Sequence, residues 1–127
     1  MYPTSVSRPA TLLRLLIAAH MLWTVLLTPA AFETRPFSSF TTLGFISLVL
    51  IFTTVGLEIT AFIIVGRRPR LAGLLASIGP FLFVGPFLVD RFGLFSSYPA
   101  PAVIALLEVI ALATQITILL VARRLRA

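Results

Sequence analysis

Three ionisable side chains lie deep inside long apolar runs of this chain, His20, Glu58 and Glu108, and the amide Gln115 shares the run of Glu108. A carboxyl beside an imidazole can hold or pass a proton, and an amide can orient either group or bind a ligand carbonyl. The cost of such groups makes them informative: a charge at a bilayer centre costs about 2.5–3.5 kcal/mol on insertion scales, so it faces protein or water and usually pairs. Each also has a purely structural explanation. Glu58 can lock helix packing through Arg14 or His20, His20 can be a packed hydrogen-bonded imidazole, and Glu108 and Gln115 can be interhelical glue. Arg14, about one turn inside its run, can snorkel its guanidinium to the headgroups. A haem on His20 would need a second axial ligand from Met21, another chain or nowhere, which disfavours it. The lone histidine excludes a multi-histidine metal site, and no phosphate-binding Gly loop or nucleophile elbow is present.

The elements that must position these groups are four apolar runs, about 12–32, 43–65, 71–89 and 103–122, in a chain of 127 residues. At about 1.5 Å per residue each covers the ~30 Å hydrocarbon core. Apolar/polar alternation is missing, so a β-barrel is excluded, and helices satisfy every backbone group internally. The expected fold is all-α, a single integral membrane domain forming a four-helix bundle, with mean hydropathy +1.10 and 59% hydrophobic residues. No length remains for a soluble catalytic module. The first run also resembles a secretory signal, with "LTPAAF" as a cleavage region. Arg14 within the apolar stretch and the spanning length favour retention.

All ten basic residues are arginine, and the formal net charge is +6. Eight lie at one set of run ends: Arg8, Arg14, Arg67, Arg68, Arg70, Arg123, Arg124 and Arg126. Only Arg35 and Arg91 lie at the other, each close in sequence to an acid, Glu33 and Asp90. The positive-inside rule then puts both termini in the cytoplasm of a multi-pass cell-membrane protein. Anionic headgroups are the expected partners of Arg67, Arg68, Arg70, Arg123, Arg124 and Arg126, with a membrane protein or a second copy as further candidates. Nucleic acid is not expected, because no basic stretch is interleaved with exposed stacking aromatics. With no cysteine, dithiol chemistry is excluded within the chain.

Counting from the cytoplasmic ends at ~1.5 Å per residue, His20 and Glu58 both lie roughly 12 Å deep, Gln115 roughly 10 Å, Pro80 roughly 13 Å and Glu108 roughly 21 Å. This predicts a polar layer of His20, Glu58 and Gln115, with Glu108 two turns above Gln115. Ser47, Thr54 and Glu58 make one stripe of period near 3.6, and Glu108, Ala111 and Gln115 another, so these two faces are expected to meet. Pro80 and Pro86, each following a glycine, would curve or open the third helix.

The stretch "LLRLLIAA", Leu12 to Ala19, resembles the arginine-bearing first helix of the DoxX/DoxX-like family of small four-span membrane proteins. "VGLEITAFIIVGRRPRLAG", Val55 to Gly73, resembles that family's Gly-Leu-Glu segment and basic turn. "HMLWTVLLTP" departs from the family's Gly-rich continuation. The resemblance implies a redox-associated membrane protein working with quinone or oxidoreductase partners, and carries over only Arg14 and Glu58. The expected function is therefore an accessory or quinone/lipophile-binding component of a membrane redox system, with Glu58 central and His20 and Gln115 orienting it. A structural subunit or assembly factor is the alternative, followed by a small proton-coupled transporter.

Overall fold

The computed structural model describes residues 7–126, so the lead before Ser7 and the final Ala127 lie outside the described residues. Four helices fill nearly all of the described chain: α1 (Arg8–Thr34), α2 (Thr42–Ile64), α3 (Pro69–Arg91) and α4 (Ala102–Arg126). All four are long and apolar enough to cross a membrane. They outrun the apolar runs at several ends because polar caps and arginines continue the helical backbone past the hydrocarbon.

Helix boundaries follow local chemistry. The Ser7 hydroxyl accepts from the Ala10 amide at 3.3 Å and the Thr41 hydroxyl from the Gly44 amide at 3.0 Å, each satisfying an otherwise orphan donor. Proline stands within the first turn of α1 and α3, where no intrahelical N–H is needed. Past the end of α3, Gly93 adopts φ +71°, and Leu94 N–H reaches back to the Val89 carbonyl at 2.9 Å. That left-handed residue closes the helix as glycine does without a Cβ penalty. Pro80 and Pro86 remain inside an uninterrupted α3, and Pro29 inside α1.

The helices run up and down around a ring in chain order, with α3 tightly held between α2 and α4, and α4 against α1. The α1–α2 seam is the exception: the backbones of these consecutive helices lie farther apart, and they meet through side chains, His20 with Glu58 and Arg14 with the Phe62 carbonyl. Small residues set the close contacts of α3. A Cβ on Gly73 would lie 2.8 Å from the Ala122 carbonyl oxygen, so α3 and α4 approach at backbone distance there. Large apolar side chains such as Leu15, Val25, Phe52, Ile63 and Phe81 point outward and are exposed, as expected of a lipid-facing surface.

The two ends of the bundle differ. Around the termini, Leu13, Ile17, Ala61, Val65, Ala76, Ile118 and Ala122 form a continuous, fully enclosed apolar core. At the far end the two connections knit together: Thr41 N–H donates to the Phe95 carbonyl at 3.0 Å, Ser97 N–H to the Ser39 carbonyl at 2.8 Å, and the Ser39 and Ser96 hydroxyls meet at 2.7 Å. Gly44 fits beneath this cap because a Cβ there would run into the Phe95 carbonyl oxygen. Phe32, Phe37, Phe40 and Phe45 stack beside it, with centroids of Phe32 and Phe37 4.5 Å apart.

Candidate functional site

Between the solid core and the knitted cap lies the polar layer. His20 of α1, Glu58 of α2 and Gln115 of α4 are each at most 1% exposed. The His20 Nδ1 is 2.7 Å from Glu58 Oε2, and Gln115 Nε2 donates to Glu58 Oε1. One carboxyl therefore ties three helices together. Two oxygens and two nitrogens converge in a buried environment, where each hydrogen bond is electrostatically stronger than in water.

The fourth helix contributes by leaving room. A Cβ on Gly79 of α3 would lie 3.0 Å from Thr54 Cγ2, 3.6 Å from Gln115 Oε1 and 3.8 Å from Glu58 Oε1. Thr54, one turn before Glu58, places its hydroxyl 3.0 Å from the Leu50 carbonyl and 3.4 Å from that of Gly79. The stripe Ser47, Thr54, Glu58 is thus wholly buried and faces α3 and α4. Gln115 Oε1 is buried with no hydrogen-bond partner among the described residues.

His20 has a second side. Its ring packs edge-on against Phe83 with centroids 5.8 Å apart, and it borders a cavity of about 110 Å³ on the cap side of the layer. Its Nε2 makes no hydrogen bond among the described residues, since the ring's one partner is Glu58 through Nδ1. The hydrogen bond at Nδ1 fixes the ring's orientation. The cavity wall is apolar, including Leu27, Ile51, Phe87, Ile104 and Ala111, with Thr24 and Thr28 on α1. Both threonine hydroxyls already donate one turn back, Thr24 to the His20 carbonyl at 2.9 Å and Thr28 to the Thr24 carbonyl at 2.8 Å.

The roof is a second ionic group. Arg35 grips Asp90 with two bonds of 2.6 and 3.0 Å, and its guanidinium lies over the Phe95 ring at 4.9 Å. Glu108 sits 3.2 Å from Arg91 and 3.8 Å from Arg35. Arg35 and Glu108 both border the cavity. Glu108 thus belongs to the roof, two turns from the Glu58 layer; of the expected stripe, Glu108 and Ala111 border the cavity and Gln115 lies in the Glu58 layer. Arg35, two residues after Glu33, pairs with Asp90, 55 positions away, while Glu33 is exposed.

Arg14 is elsewhere. Its Nε donates to the Phe62 carbonyl at 3.1 Å and its guanidinium lies 5.7 Å from the Phe62 ring, at the basic end beside Gly66, Arg67 and Arg68. It is not Glu58's partner, and His20 fills that role. Met21 packs against the apolar core. Sequence reasoning placed Thr54 on the polar stripe of α2 but missed Gly79, the pairing of Arg35 with Asp90 and the Trp23 indole, which donates to the Leu107 carbonyl at 3.0 Å and clips α1 to α4. Gly79 precedes Pro80, whose counted depth matched Glu58, and that was the available signal. Among the described residues no group of three or more His, Cys, Asp or Glu side chains could hold a metal ion. No protein-family model, curated protein or solved structure matches the chain.

Proposed function

We propose that this small integral membrane protein holds a lipophilic ligand bearing a polar oxygen, a quinone being the leading class, in the cavity above His20. The observation that carries the reading is the placement of one imidazole between two environments: Nδ1 on a buried carboxyl and the ring at the floor of an apolar cavity. His20 is the contact to the ligand oxygen, donating from Nε2–H to a quinone carbonyl when a protonated Glu58 donates to Nδ1 or when the imidazole is itself protonated, and Gln115 holds Glu58. A mostly apolar cavity with a few convergent polar groups is the usual form of a small-molecule site. The DoxX-like resemblance of the Glu58 segment adds the setting, an accessory role in a membrane redox system.

The sole tryptophan, Trp23, lies three residues from His20 and gives a direct assay, since quinones quench indole fluorescence. Titration of the purified protein with decylbenzoquinone is expected to give saturable quenching, weakened at least about tenfold in His20→Phe, the equivalent of about 1.4 kcal/mol. Linear, non-saturable quenching identical in both proteins would overturn the reading.

A structural-subunit reading is favoured by a different fact: Glu58 bonds α1 and α4 while Arg35 joins α1 to α3, so the polar groups also hold the bundle together. It requires a stoichiometric protein partner on co-purification and no effect of His20→Phe on quinone binding. A transporter has less support, because the packed core around Leu13, Ile17 and Ile118 lies directly beneath the layer.

A further inference from the structure

The charges at the cavity roof do not balance. Arg35 grips Asp90 through both terminal nitrogens, and Arg91 lies 3.2 Å from Glu108. Asp90 and Glu108 also stand within hydrogen-bond reach of each other. Two carboxyls that close do not both ionise, so one proton stays between them and two guanidiniums face a single negative charge. Arg91 has an outlet, since its side chain is 31% exposed and can reach water or headgroups. Arg35 has none, with a side chain only 3% exposed.

The same arginine has an unused donor. Its terminal nitrogens are on Asp90 and the Phe95 ring covers the guanidinium at 4.9 Å, while Nε–H is buried with no acceptor among the described residues. A charged donor enclosed without a partner is costly, and native structures rarely keep one. Arg35 borders the cavity, so an acceptor entering there meets its guanidinium.

One excess charge and one free donor describe the head that fits. A carboxylate supplies a single negative charge and forms the charge-assisted bonds that a guanidinium makes best. A doubly charged phosphate would reverse the imbalance. The floor offers no such excess, because His20 and Glu58 with one proton between them carry no net charge wherever that proton sits. Between roof and floor the wall is apolar at Leu27, Phe83 and Ile104, which suits a hydrocarbon chain. That wall is incomplete: Phe52 is exposed and Thr28, Leu48 and Phe87 are half-buried, so a chain longer than the cavity continues into the bilayer.

We infer that the cavity roof is a carboxylate subsite, where a single-chain lipophile places its carboxylate head against Arg35 and lays its first carbons along the apolar wall. This rests on the reading of the cavity as a lipophile site, though not on a quinone at His20, and adds the head charge and the residue that selects it.

Native mass spectrometry of the purified protein with dodecanoate, methyl dodecanoate and acetate, near pH 8 where the acid is ionised in water, tests the head. Dodecanoate is expected to be retained at least about tenfold more tightly than its methyl ester, with acetate not retained at the same concentration. Equal or tighter retention of the ester would overturn the carboxylate assignment while leaving the lipophile reading standing. Retention of neither long-chain compound would remove both. Acetate held as tightly as dodecanoate would overturn the lipid source in favour of free carboxylates.

The part of Arg35 is read in the double variant Arg35→Leu with Asp90→Leu, which removes both members of the buried pair and strands neither. Arg91 and Glu108 then remain as a matched pair, and the preference for acid over ester is expected to fall to within about twofold. Arg14→Gln, which removes a positive charge at the opposite end of the bundle, is expected to keep it. A cooperative Trp23 unfolding transition identifies the double variant as folded. An undiminished preference in the folded double variant, or an equal loss in Arg14→Gln, would overturn the roof assignment.

Discussion

Replacing Glu58 by leucine removes the only hydrogen-bond partner, among the described residues, of both His20 Nδ1 and Gln115 Nε2. Both residues are at most 1% exposed, so neither can turn to solvent without opening a helix interface. A buried polar group left without a partner costs about 1–3 kcal/mol, which gives about 2–6 kcal/mol for two. The loss falls near the lower end, about 2 kcal/mol, because a membrane-embedded unfolded chain finds alternative partners and measured interhelical couplings average about 0.6 kcal/mol. Equilibrium unfolding in mixed micelles, followed by Trp23, reads this directly, since that indole bridges α1 and α4 at the Leu107 carbonyl. The triple variant Glu58→Leu, His20→Leu, Gln115→Leu strands no polar group and is expected to be more stable than the single variant. A Glu58→Leu protein within about 0.5 kcal/mol of the parent, well below the cost of one stranded group, would refute this reasoning. So would a triple variant less stable than the single.

The roof should respond more sharply than the basic end. Arg35→Leu leaves the 7%-exposed Asp90 without its two-bond partner and is expected to cost about 3–5 kcal/mol in the same unfolding assay. Arg14→Gln, which gives up one backbone hydrogen bond and a ring contact at a half-exposed site, is expected to cost less than about 1 kcal/mol. The glycines separate by environment: Gly44→Ala drives a Cβ into the Phe95 carbonyl and should lose about 1–3 kcal/mol, visible as a lower midpoint. Gly56→Ala meets nothing within 4 Å and should leave the midpoint unchanged or raise it.

Much of this architecture can be read from the sequence because the bilayer imposes it. Run length fixes four spans, and depth counting at a constant rise brings His20, Glu58 and Gln115 to one level before any packing is known. Period-3.6 patterning likewise identifies the face of α2 that carries Ser47, Thr54 and Glu58. The ion pairs resist such reading. Arg35 follows Glu33 closely, but a helix end points successive side chains in different directions, and Arg35 turns inward to Asp90 on α3 while Glu33 faces out. The cavity is still less legible, because it arises from the divergence of α1 from α2, a property of how four surfaces settle together rather than of either helix. The role of Gly79 is visible only once Thr54, Glu58 and Gln115 surround it.

The central claim is that a single imidazole joins a buried carboxyl to an apolar ligand cavity, and the chain's only histidine makes it accessible without assignment ambiguity. Nitrogen-15 NMR of protein labelled at His20, recorded with and without decylbenzoquinone, observes both ring nitrogens at once. The expected result is a hydrogen-bonded Nδ1 whose signal moves on Glu58→Leu, together with an Nε2 signal that shifts on adding the quinone while Nδ1 stays nearly in place. An Nδ1 insensitive to Glu58→Leu, or an Nε2 untouched by saturating quinone, would contradict the account.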